Sequence, residues 1–109
     1  MFADEKAVWA FLRPRILGPG WHWERVEVKQ PTGMPDVHGM RGPRAVWIEL
    51  KEGPVSIRAL RRDQREWIAN AVRVGAEVYV LFGTSTGLKW FADQTLACEV
   101  CAPDFYRER

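Results

Sequence analysis

The chain has 109 residues, the size of one ordinary domain, and its 47% hydrophobic and 28% charged residues exclude a disordered tail or a repeat array. Two cysteines, Cys98 and Cys101, exclude a disulfide framework and cannot fill a four-ligand zinc site alone, and no apolar run approaches the roughly 20 residues needed to cross a bilayer. The net charge of +2 is too small to identify a partner, but twelve of the sixteen cations are Arg, the side chain suited to bidentate phosphate contacts.

The opening Met1-Phe2-Ala3-Asp4-Glu5-Lys6 carries acids where a signal peptide needs positive charge, so a reducing cytoplasm is the expected location. No repeat or low-complexity linker interrupts the chain, and residues 1–109 read as a single domain. Residues 4–13 predict a short helix, with Asp4 as N-cap and Val8, Phe11 and Leu12 as its apolar stripe, before Pro14 disturbs the pattern. After a Gly18-Pro19-Gly20 turn, residues 21–29 predict a strand with Val26 and Val28 on one face and Arg25, Glu27 and Lys29 on the other. Residues 36–40 and 45–51 form the arms of a hairpin around Arg41-Gly42-Pro43-Arg44. Ser56 then caps a long helix over 57–74, with Ile57, Leu60, Trp67, Ile68, Ala71 and Val72 on its buried stripe and Gly75 as its C′ residue. Residues 76–82 read as a central strand and 88–92 as a shorter one, and the tail from Asp93 has room for one more helical turn. The expected class is α/β, one mixed sheet with helices against it.

Chemistry concentrates in residues 45–51. Strand alternation puts Val46, Ile48 and Leu50 on one face and Trp47, Glu49 and Lys51 on the other, so a carboxylate and an ammonium stand side by side at the end of an apolar strand. Hairpin pairing brings Asp36 toward Glu49. Two carboxylates held together repel unless a cation lies between them, and with the Leu50 carbonyl and waters they make an oxygen-rich site suited to Mg²⁺. Lys51 beside such an ion can orient or deprotonate a water, or neutralise charge building on a phosphate. A plain Glu–Lys surface pair is the competing explanation. Gln64 sits within the buried stripe of the long helix, where an unpaired amide is costly, and it needs a partner such as Lys51, a metal-bound water or a backbone carbonyl.

Gly33-Met34-Pro35-Asp36, then Trp47-Ile48-Glu49-Leu50-Lys51, then Gln64 ahead of Trp67, and finally Gly75 before an apolar strand, resembles the PD-(D/E)xK nuclease superfamily. Within it the chain is most similar to the VRR-NUC branch, whose small stand-alone members occur in phages and prophages. The resemblance runs from about residue 5 to residue 83. It implies a restriction-endonuclease-like core, a central mixed β-sheet flanked by helices, and Mg²⁺- or Mn²⁺-dependent hydrolysis of DNA phosphodiesters. Asp36 and Glu49 would be metal ligands, Lys51 the catalytic lysine and Gln64 its support. An additional glutamate from the first helix would be Glu5, with Glu27 as the competitor. A Holliday-junction-like substrate and a symmetric homodimer are implied in the same way.

Around such a site Arg58, Arg61, Arg62 and Arg65 of the long helix and Arg41 and Arg44 at the hairpin turn are the expected phosphate contacts, salt-sensitive and blind to sequence. The alternative for the helix arginines is a solvated face laced with ion pairs. Trp9, Trp47, Trp67 and Trp90 belong to apolar settings. Trp21 and Trp23 share one strand face, in the core, at a dimer interface or as a stacking platform for bases. His22 and His38 lack a second ligand at zinc spacing, though His38 is close enough to Asp36 in sequence for a minor water or phosphate role. The Cys98-x-x-Cys101 pair lies in the tail, where redox chemistry is not expected. A structure-selective endonuclease, a catalytically inactive DNA-binding accessory protein on the same fold, and a small interaction domain with incidental acids are separated by DNA cleavage with Mg²⁺ or EDTA.

Overall fold

The computed structural model describes residues 2–16, 18–26 and 32–108. Helix α1, Glu5–Leu12, starts at Asp4, whose Oδ1 accepts the Ala7 N–H at 2.9 Å, and a single 3₁₀ turn, Arg13–Arg15, carries Pro14 at its start. Strands β1 (His22–Arg25), β2 (Val37–Arg41), β3 (Arg44–Glu52), β4 (Glu77–Thr84), β5 (Gly87–Phe91) and β6 (Glu99–Val100) form one sheet in chain order. Every pair is antiparallel except β3–β4, which is parallel and therefore needs a crossover, supplied by helix α2, Arg62–Arg73.

The alternation along β3 divides the core. Val46, Ile48 and Leu50, all fully buried, pack with Val37 and Leu81 against Val8 and Leu12 of α1 and Ile16 beyond it. Each such side chain contributes about 1.5–3 kcal/mol of hydrophobic stabilisation. On the opposite face Leu60, Ile68 and Ala71 cover Val78, Val80, Phe82 and Phe91. Phe105 returns on the α1 side to lie against Trp21 and Trp23, whose rings stack on each other at 5.0 Å, and the Trp23 indole N–H donates to the Ile16 carbonyl. Gly39 exists under that stack because a Cβ there would lie 2.2 Å from the Trp23 ring. Trp21 and Trp23 are thus packing residues, half-buried against the core.

Three expectations require correction. The helix over 57–74 is broken: Ser56 caps only a 3₁₀ turn, Ile57–Ala59, and Leu60 and Arg61 are extended before α2 begins. The start of α2 is set by Gln64, whose Oε1 accepts the Arg61 backbone N–H at 3.0 Å, the half of a capping box that a donor-only arginine cannot return. Ile57, before the break, and Val72, on the outer side of α2, are exposed and do not belong to the buried stripe. The tail holds strand β6 in place of a helical turn. The strand expected over 21–29 spans His22–Arg25 here, and Glu27 to Lys29 lie outside the described residues. Gly75 does end α2, with φ +86° and the Gly75 and Ala76 N–H groups returning to Val72 and Ala71 carbonyls.

Candidate active site

Four segments meet at the C-terminal end of β3. Pairing of Val37 with Ile48 leaves Asp36 just before the start of β2, where its Oδ2 accepts the Leu50 N–H at 2.8 Å. The Leu50 carbonyl leaves the same flank of the strand as its N–H, toward Asp36. The loop before Asp36 is pressed against the first turn of α2 at Gly33, which has φ +78° and whose added Cβ would lie 2.1 Å from the Asp63 carbonyl oxygen. Only glycine fits that approach. The same turn of α2 supplies Gln64, and the first turn of α1 supplies Glu5.

Glu5, Asp36 and Glu49 each offer a carboxylate oxygen, and the three oxygens lie within 4.8 Å of one another. Glu49 is 1% exposed. Its Oε2 accepts from Gln64 Nε2 at 2.9 Å and lies 3.3 Å from Lys51 Nζ, while its Oε1 is buried with no hydrogen-bond partner among the described residues. Lys51 Nζ donates to Gln64 Oε1 at 3.1 Å. Two donor-only neighbours, Lys51 and the Arg61 N–H, fix which end of the Gln64 amide is oxygen, and that orientation turns its NH₂ toward Glu49. The structure therefore brings Glu5, Asp36, Glu49, Lys51 and Gln64 together. Glu27 lies outside the described residues.

Burial pushes the Glu49 carboxyl up to about 8, with the Asp36 charge adding to the rise and Lys51 opposing it. Desolvation also raises Glu5, against the charges of Lys51, Arg25 and Arg61. Carboxylates so arranged are either protonated or bridged by a cation, and a buried, unpartnered acceptor oxygen is costly unless something occupies its lone pairs. The donor set is all oxygen, which suits a hard divalent ion.

The arginines divide into two groups. Arg58, Arg61, Arg62 and Arg65 are exposed around the start of α2, and the Arg61 charge reaches Glu5. Arg61 pairs with Asp63 at 3.2 Å and Arg62 with Glu66 at 2.9 Å, while Arg58 and Arg65 form no ion pair among the described residues. Arg41 and Arg44 are elsewhere. They sit at the hairpin turn, about 17 Å along the strands from Asp36 and Glu49 at roughly 3.4 Å per residue, so nearness in sequence does not become nearness in space. Arg44 is also engaged, its guanidinium forking onto Glu77 at 2.7 and 2.9 Å and onto Asp104 at 2.8 and 2.9 Å. His38 stacks on Trp47 at 4.1 Å. Sequence reasoning missed Arg25, which pairs with Val37 beside Asp36 and places a cation near Glu5. Pairing the strand at 21–29 antiparallel to 36–40 was the signal that could have found it.

No family model matches the chain, and none of the curated proteins compared with it is a significant match. Among solved structures, it is similar to Hjc of Archaeoglobus fulgidus, a Holliday junction resolvase from an archaeal hyperthermophile. The identity is 21%, the TM-score 0.54, and the likeness covers 94% of this chain and 88% of Hjc. The fold is restriction-endonuclease-like. Among the described residues no helix is long and apolar enough to cross a membrane.

Proposed function

We propose that the protein is a Mg²⁺- or Mn²⁺-dependent endodeoxyribonuclease of the PD-(D/E)xK type, in its VRR-NUC branch, which cuts branched, Holliday-junction-like DNA as a cytoplasmic homodimer of phage or prophage origin. The observation that carries the metal-dependent chemistry is the convergence of Glu5, Asp36 and Glu49, with the buried Glu49 Oε1 unpartnered among the described residues and its Oε2 beside Lys51. The preference for branched DNA is supported by the likeness to Hjc, and the branch and source by the order of the sequence motifs.

Asp36, Glu49, Glu5 and the Leu50 carbonyl would hold the divalent ion, which when bound supplies Lewis-acid activation of a water and of the scissile phosphate. Lys51 carries three N–H donors, one given to Gln64 Oε1 and one directed at Glu49 Oε2. The third remains for the phosphate oxygen that gains charge as the bond breaks, which favours charge stabilisation over proton abstraction as the lysine's role. Gln64 positions that ammonium and keeps Glu49 Oε1 turned away from its own NH₂, toward the other carboxylates. Arg58, Arg61, Arg62 and Arg65 would grip backbone phosphates beside the site.

Incubating the protein with four-way-junction and linear duplex DNA, in Mg²⁺, Mn²⁺ or EDTA, tests the proposal. Metal-dependent cutting with preference for the junction is expected. Binding without cutting in either metal would make the protein a DNA-binding accessory on this fold, and neither binding nor cutting would leave an interaction domain.

A further inference from the structure

At the opposite end of the sheet from the carboxylates, on the α1 side, lies a cavity of about 450 Å³ walled by the Gly18–Pro19 turn, Trp21 and the tail around Phe105. Three arginines line it and one acid does. The acid, Asp104, has both oxygens held by Arg44. Arg15 lies over the Phe11 ring at 3.5 Å, donates Nη1 to the Phe11 carbonyl at 2.7 Å, and keeps its Nε buried with no hydrogen-bond partner among the described residues. Arg107 spends one nitrogen on the Asp104 and Tyr106 carbonyls, and its backbone N–H on the Arg15 carbonyl, which ties the tail to the 3₁₀ turn after α1. Arg41 is exposed and makes no ion pair among the described residues. Gly20, with φ +84°, leaves room for it, since a Cβ there would be 3.3 Å from Arg41 Nε.

We propose that this pocket seats a second backbone phosphate of the DNA, on an arm that leaves the cutting site along the edge strand β1. The exposed Arg41 guanidinium and the donors that Arg15 and Arg107 have left, around a cavity whose one acid is tied up, select an anion. Strand β1 connects the two places: Arg25 stands at the carboxylate end and His22 pairs with Met40 next to Arg41. The separation of about 17 Å is the through-space distance between phosphates roughly three steps apart on one strand of a duplex, so one arm reaches both. That the anion belongs to DNA rests on the nuclease reading; the anion pocket itself does not.

The test replaces the phosphates of one junction arm, one at a time, by uncharged methylphosphonates and measures binding in EDTA to the wild type, Arg41→Gln and Arg41→Lys. The wild type is expected to show a second sensitive position about three steps from those at the branch point. In Arg41→Gln that position loses its sensitivity alone and the slope of log affinity against log salt becomes shallower by about one. Arg41→Lys restores the slope. No second sensitive position, or one that persists unchanged in Arg41→Gln, overturns the proposal. So does a Trp21 indole resonance that moves with inorganic phosphate yet stays still with DNA, because the pocket would then take a free anion. Cleavage of the unmodified junction in Mg²⁺, run alongside, separates the two ideas: cutting without the second position sinks the pocket alone, and the second position without cutting sinks the nuclease alone.

Discussion

Glu49→Gln should make the metal-free protein more stable, and only at neutral to alkaline pH. Above about 4.5 the unfolded chain has released the Glu49 proton, while the folded protein retains it up to about 8 because burial and the Asp36 charge oppose ionisation. In that window the unfolded state binds fewer protons, so folding stability falls as pH rises. Integrating over the two values, ionisation of Glu49 withdraws about 3 kcal/mol of stability between pH 5 and pH 8. A neutral carboxamide keeps an oxygen for Gln64 and Lys51 and adds an NH₂ toward Asp36, without the buried charge. Urea unfolding in EDTA, read as the difference between Glu49→Gln and wild type, should therefore be under about 1 kcal/mol at pH 5 and grow to several at pH 8. Mg²⁺ added at pH 8 should stabilise the wild type by mass action and leave the variant unmoved. A difference that does not vary with pH, or a variant less stable than wild type at pH 8, would refute the reasoning.

Lys51→Ala should abolish cleavage while Mn²⁺ affinity changes little, as checked by cleavage rate and titration; wild-type rates would mean the ammonium has no part in the chemistry. Gly33→Ala should cost about 2–4 kcal/mol in urea unfolding, from a left-handed alanine and overlap with the Asp63 carbonyl, and should weaken Mn²⁺ binding because the same loop carries Asp36. Replacing Arg61, Arg62 and Arg65 with Ala should weaken DNA binding and flatten its salt slope, and an unchanged slope would show that this face turns away from the substrate.

The strand at 45–51 was legible because its alternation is local: Val46, Ile48 and Leu50 could only share a face, and Glu49 and Lys51 had to share the other. Asp4 and Gly75 were legible for the same reason, since a cap acts on its own helix end. The break at Leu60–Arg61 was not, because it answers to a tertiary demand. Gln64 serves Glu49 and Lys51 across the site and at the same time caps the Arg61 N–H, which no helical periodicity encodes. The engagement of Arg44 was hidden for the same reason: its partners Glu77 and Asp104 lie 33 and 60 residues away in sequence. The packing of Trp21 and Trp23 depends on Phe105, which only the folded tail delivers. The approach of Glu5 to the other two carboxylates likewise depends on packing, since the docking of α1 across β3 carries it there.

The most direct test of the metal centre is anomalous diffraction from crystals soaked in Mn²⁺, with Asp36→Asn crystals treated alike. One manganese peak bonded to Asp36 and Glu49 in the wild type, and lost in the variant, is the expected result. Manganese bound elsewhere, or the three carboxylates left without an ion at a concentration that saturates cleavage, would contradict the account.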